Sequence, residues 1–83
     1  MPSAIILINT EVGKEGEVMT ALSNIQGVSE VYLVYGVYDI VSKIESDRME
    51  DLEAIISNQI RKITGIRSTL TLIISRKGKG NHG

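Results

Sequence analysis

The hydrophobic positions change period along the chain, and each change marks an element. Residues 4–10, AIILINT, form a short, apolar, β-branched run bounded by Pro2 and Gly13, too brief for a helix, so the pattern predicts a buried strand. Over residues 13–24 the period becomes helical: Val18, Ala21, Leu22 and Ile25 recur on one face, with Glu15, Glu17, Thr20 and Ser23 on the other. Gly27 follows as a helix stop. Residues 28–35 and 38–46 read as two strands joined by a tight turn at Gly36, Val37, Tyr38 and Asp39, hence as antiparallel neighbours. Asp47 with Glu50 three residues later resembles a capping box, opening a helix whose stripe is Leu52, Ile55, Ile56, Ile60 and Ile63 and which Gly65 ends. Residues 66–75, IRSTLTLIIS, give the last strand, with Ile66, Ser68, Leu70, Leu72 and Ile74 alternating against Arg67, Thr69, Thr71 and Ile73.

The order β-α-β-β-α-β is a doubled βαβ unit, since each helix passes through a glycine into a β-branched strand. Right-handed crossovers then place both helices on one face of a four-stranded antiparallel sheet, an α+β, ferredoxin-like fold. The other face must accommodate Ile5, Leu7 and Ile73 or their alternates, and an apolar sheet face rarely stays in water. Dimerisation through the sheet is the expected answer.

Composition narrows this picture. At 83 residues the chain makes one domain, expected over residues 1–75, and a chain of this size buries only about 60–65% of its unfolded surface. It has no Trp, Phe or Cys and three Tyr, so its core is aliphatic and unstapled, which favours burial of further apolar surface in an oligomer. A net charge of −1 and a pI near 5.7 argue against phosphate neutralisation as the main work. No apolar run reaches the roughly 18 residues of a membrane span, and the N-terminus carries no secretory signal pattern, so the expected compartment is the cytoplasm.

Few residues offer chemistry. His82 sits in the basic, Gly-rich stretch of residues 76–83, expected to be a flexible tail, where an imidazole is not held in place. Asp47, Glu50, Asp51 and Glu53 suit a helix N-terminus and stay solvated. Arg76, Lys77 and Lys79 suggest a solubilising tail more than a binding arm, and an RNA-recognition domain would need sheet aromatics where the last strand has threonine, arginine and isoleucine. Thr69 and Thr71 point the same way from one strand, and Asp39 follows a turn; ordinary strand and turn preferences account for both when each is taken alone.

Together, VYGVYDIVSKIE, a helix and ITGIRSTLTLIIS resemble the effector (RAM) domain of the Lrp/AsnC family of transcriptional regulators over residues 4–75. The resemblance rests on the Gly-x-Tyr-Asp hairpin at Gly36–Asp39 and on Gly65-Ile66 leading to Thr69-x-Thr71. It implies a sheet-to-sheet homodimer assembling into a ring, an octamer or decamer, with amino-acid effectors bound between dimers. It also implies a ligand site at Gly36, Val37, Tyr38, Asp39, Thr69 and Thr71. Asp39 or a turn carbonyl would take an ammonium group, and Thr69, Thr71 and the Gly36 amide a carboxylate, with Tyr38 packing across a neighbouring dimer. Full regulators of this family carry a helix-turn-helix domain ahead of this one. The chain opens almost on its first strand, so the expectation is a stand-alone RAM protein that binds no DNA itself and needs no cofactor.

The leading expectation is thus a non-enzymatic amino-acid-sensing and oligomerisation module acting on amino-acid metabolism or transcription. One alternative is a partner that co-assembles with full-length Lrp-type regulators and dilutes their DNA-binding heads. Another is a small dimeric ferredoxin-like enzyme, a monooxygenase or isomerase, for which Ser42 and Ser68 are the available polar groups.

Overall fold

The computed structural model describes residues 1–81, so His82 lies outside the described residues. The elements are β1 (Ser3–Thr10), α1 (Glu15–Ser23), β2 (Val28–Leu33), β3 (Ile40–Glu45), α2 (Met49–Asn58), a 3-10 turn (Ile60–Lys62) and β4 (Ile66–Ile73). They form one antiparallel sheet in the order β2-β3-β1-β4, with the first strand central. This is the predicted βαββαβ arrangement. The strict alternation of burial along β1 shows why: Ala4, Ile6, Ile8 and Thr10 are buried, while Ser3, Ile5, Leu7 and Asn9 between them face the other way. Ile40, Ser42 and Ile44 of β3 repeat the pattern beside it. Val18 and Leu22 of α1, Leu52 and Ile56 of α2 and Ile60 of the 3-10 turn close the core over that face.

The doubling read from sequence is carried by two contacts. The Gly27 carbonyl accepts the Glu45 amide at 2.8 Å, and the Gly65 carbonyl accepts the Glu11 amide at 2.7 Å. Both glycines have φ near +100° (105° and 103°), a backbone region that side chains rarely adopt. A β-carbon at Gly27 would meet Ile55 of α2, and one at Gly65 would meet Lys14 and Val18 at the start of α1. Each half of the molecule seats its closing glycine against the other half's helix.

Several boundaries differ from the sequence reading. The second helix starts after Arg48, not Asp47, and no side chain caps its first amides; Glu50 falls one position too early for a capping box and pairs with Arg48 instead. The helix also stops at Asn58, and the 3-10 turn carries Ile60 into the core, so the stripe continues across a break. The first helix starts at Glu15, because Gly13 is turned outward at φ 81° with its amide on the Glu15 carboxylate at 2.9 Å.

On the uncovered side of the sheet Ile5 and Leu7 lie as expected, and Ile73 gives way to its alternates. Ile73 pairs with Ala4 and shares its helix-side face, whereas Leu70 and Leu72 pair with Leu7 and Ile5 on the open face. Leu70 and Leu72 are each 46% exposed, and with Ile5, Leu7, Val41 and Tyr32 they leave an apolar surface uncovered. At its β2 end the Tyr32 hydroxyl donates to the Glu30 carboxylate at 2.5 Å, and Lys43 Nζ lies 4.0 Å from the same carboxylate. Accepting that hydrogen bond, and its negative charge, let Glu30 hold the Tyr32 phenol above the usual tyrosine range.

Ser42 is the fully buried polar side chain of the core. The β2–β3 ladder shifts register between Val28 and Glu30, and the Ser42 hydroxyl donates to the Glu30 carbonyl at 2.8 Å while Ser29 donates to the Lys43 carbonyl at 3.2 Å. Two hydroxyls thereby satisfy peptide groups around the bulge. Ser42→Ala removes this hydrogen bond from a fully buried position, with an expected loss of about 1 kcal/mol in urea unfolding; an unchanged midpoint would show that the bond contributes nothing.

Candidate functional site

The β2–β3 connection, read from sequence as a tight turn, is a longer loop. Strand pairing ends at Leu33 and resumes at Ile40, and the loop is closed by the Val34 amide donating to the Asp39 carbonyl at 2.9 Å. Contacts to β1 explain the length. The Asp39 amide donates to the Ile8 carbonyl at 2.9 Å, and its Oδ2 accepts the Thr10 amide at 2.8 Å and the Thr10 hydroxyl at 3.4 Å. Asp39 therefore closes the loop through its carbonyl and ties it to the end of the central strand through its amide and carboxylate. Gly36 and Val37 project beyond this anchor, Val37 at 85% exposure, while Tyr38 is half-buried.

Thr69 and Thr71 lie on β4, paired with Ile8 and Ile6 and on the helix side of the sheet. Helix α1 packs on β2 and β3 and α2 on β1, leaving this edge only partly covered, and both threonines are half-buried. Ile8 bonds Asp39 on one side and pairs with Thr69 on the other, so the two lie across the central strand, roughly 10 Å apart as two strand spacings require.

Two grooves flank that line. One, of about 330 Å³, is lined by Asn9, Thr10, Val12, Gly13, Glu15, Asp39 and Arg67. The other, of about 340 Å³, is lined by Arg61, Ile66, Arg67, Ser68 and Thr69. They meet at Arg67. A register shift between β1 and β4 at Asn9 and Thr10, where Thr10 pairs with Ile66 and Asn9 with Ser68, leaves Arg67 as the bulged residue. Of the six residues expected to form the site, Asp39 and Thr69 line these neighbouring grooves. Gly36, Val37, Tyr38 and Thr71 line neither.

Arg67 and Arg61 are what sequence reasoning missed. Arg67 stood in the same alternation as Thr69 and Thr71, but no residue pattern announces a bulge, and Arg61 reaches the edge only because the helix breaks at Gln59. Chemically the two grooves are opposed: carboxylates of Asp39 and Glu15 on one side, guanidinium groups and the Thr69 hydroxyl on the other. The serines of the enzyme alternative are engaged elsewhere, Ser42 on the Glu30 carbonyl and Ser68 accepting from Asn9 Nδ2 at 3.3 Å. Among the described residues there is no cluster of three metal-ligating side chains, and no helix long and apolar enough to cross a membrane.

Comparison with known proteins identifies the fold and the family. The hypothetical protein PHS023 of Pyrococcus horikoshii superposes over the whole of both chains with a TM-score of 0.86 at 41% identity. The HTH-type transcriptional regulator FL11 of Pyrococcus abyssi is 36% identical over 76 residues, which are 92% of this chain and 50% of that regulator, so the chain spans half the length of this relative. A 56-residue stretch, 68% of this chain, is 45% identical to homocitrate synthase of Sulfurisphaera tokodaii but covers 12% of that enzyme, a match to one segment of it. The model of the Lrp/AsnC ligand binding domain matches residues 3–82, nearly the whole chain with its RAM-type βαββαβ fold, and the chain belongs to that family.

Proposed function

We propose that the chain senses a free amino acid and couples its binding to the assembly of copies of itself. The observation that carries this reading is the opposition of acceptors and donors about Arg67, with Asp39 on one side and Thr69 on the other. A zwitterion has the same polarity, and charge-assisted hydrogen bonds to both its ends are stronger than neutral ones. On this reading Asp39 keeps Oδ2 on Thr10 and offers its remaining lone pairs to the ammonium. Gly36, Val37 and Tyr38 stand apart from their own chain's grooves and serve a neighbouring copy, completing a site between subunits.

Pairs form through the open sheet face, and the projecting loops join pairs into a ring in the cytoplasm. Ligand shifts that assembly only if it binds the two states with different affinity. Regulators such as FL11, matched over half their length, offer the same surfaces for co-assembly, through which a chain that binds no DNA would dilute DNA-binding heads. The match to a segment of homocitrate synthase supports a sensing unit whose output need not be DNA, and the module itself performs no catalysis.

Titration calorimetry across the proteinogenic amino acids, with light scattering for mass, tests the reading. One amino acid is expected to bind and to change the mass. Asp39→Asn, which keeps an acceptor for Thr10 but removes the charge, is expected to weaken it about tenfold or more, and Thr69→Val several-fold. Absence of binding at millimolar amino acid, or affinities unchanged in both variants, would sink it.

A further inference from the structure

We infer that Arg61 and Arg67 are the carboxylate-recognising residues of the site and that its ligand is an acidic amino acid, one with a second carboxylate on its side chain. This rests on the amino-acid reading above and sharpens it. The groove between the 3-10 turn and β4 has an unusual inventory. Arg61 and Arg67 have donors and no acceptors, and Thr69 adds a hydroxyl, while the Ser68 side chain is turned to Asn9 on the opposite face. Neither arginine belongs to any of the ion pairs among the described residues, which join Lys14 to Glu17, Lys43 to Glu30 and Arg48 to Glu50. Two unpaired guanidinium groups on a groove of about 340 Å³, within the usual range of small-molecule sites, call for an anion.

Charge counting selects among amino acids. A neutral amino acid brings one carboxylate, which satisfies one guanidinium and leaves the other facing the ligand unpaired. An acidic amino acid brings two carboxylates and one ammonium, which match Arg61, Arg67 and Asp39 one for one. Glu15, the other carboxylate in the adjoining groove, already accepts the Gly13 amide at the start of α1, where the helix dipole favours it. The bulge that frees Arg67 from the strand alternation puts its side chain on both grooves, where it reads a carboxylate beside the ammonium site.

The test is calorimetry with L-aspartate, L-glutamate, L-leucine, L-lysine and, as a dicarboxylate lacking the ammonium, succinate, on wild type, Arg61→Gln and Arg67→Gln. Both arginines are exposed, and thermal melts within a few degrees of wild type verify the fold. Expected is a preference of at least tenfold for an acidic amino acid over L-leucine, with Arg67→Gln weakening the acidic ligand about 10- to 100-fold and erasing the preference. A neutral or basic amino acid bound more tightly than either acidic one, unaffected by Arg67→Gln, overturns this inference and leaves the amino-acid reading intact. Succinate bound by wild type and lost in Arg67→Gln, with no amino acid bound, keeps the guanidinium groove and overturns the amino-acid reading. Binding of neither overturns both.

Discussion

Gly65→Ala is expected to lower the thermal midpoint by about 10–20 °C. At φ 103° an added β-carbon is strained whatever room it has, and here it would lie 3.1 Å from both Lys14 Cβ and Val18 Cγ2. Val18 is fully buried against the sheet, so it has nowhere to retreat, and the carbonyl of Gly65 is fixed by the Glu11 amide. Backbone strain and overpacking together cost about 2–3 kcal/mol, and each kcal/mol moves the midpoint of a domain this size by about 4–8 °C. Gly16→Ala supplies the contrast: its β-carbon meets nothing within 4 Å and it lies inside α1, so the same change should raise stability by roughly 0.5–1 kcal/mol. Circular-dichroism melts of both variants decide the matter. A Gly65→Ala protein melting with wild type would mean that the two halves are not closely seated at that point.

Leu72→Asp is expected to reduce the particle to a monomer without unfolding it. Leu72 sits on the open sheet face beside its partner Ile5, and half its surface is free in the single chain, so the substitution places a carboxylate where the proposed pairing would be dry. Burying an unpaired charge there costs several kcal/mol, more than a thousandfold in dissociation constant. Leu7 and Leu70 form the adjoining pair and predict the same outcome. The polar end of this face does not carry that penalty, because Glu30 is bonded to Tyr32 and faces Lys43. The raised Tyr32 pKa favours the neutral phenol, so its small contribution is present below its ordinary value of 10.0 and is lost as pH rises through the raised one. Sedimentation of wild type and variant is the measurement. If Leu72→Asp keeps the wild-type mass, association runs through another surface.

The order of elements was legible because this sequence separates its periods cleanly: β-branched runs for strands, a four-residue stripe for helices, and glycine at both crossovers. What was not legible depends on partners far away in the chain. The Gly36–Asp39 segment has the residues of a tight turn, but the Asp39 carboxylate is drawn to Thr10, and the loop opens to let it reach. Both faces of β4 carry apolar residues, so alternation could not say whether Ile73 or Leu72 faced the helices; the pairing with β1 decides it. Ile60 lies four residues after Ile56, so a periodicity count runs through the helix break without registering it. The candidate site divided along the same line. Asp39 and Thr69 line adjoining grooves on either side of β1, whereas the two arginines beside them arrive through a bulge and a helix break that only the folded chain exhibits.

The central position of β1 also governs how the molecule comes into being. Ala4–Ile8, the most apolar segment, is synthesised before both of its partners, β3 and β4, which emerge much later. Until Ile66–Ile73 is available one flank of that strand is an open row of peptide groups, the kind of edge that recruits other chains. Pairing across most of the chain's length is also slow, because the loop must be closed before any contact rewards it. The interval between translating β1 and docking β4 is therefore when this domain is most exposed to aggregation, and its need for a chaperone would be greatest before β4 has emerged.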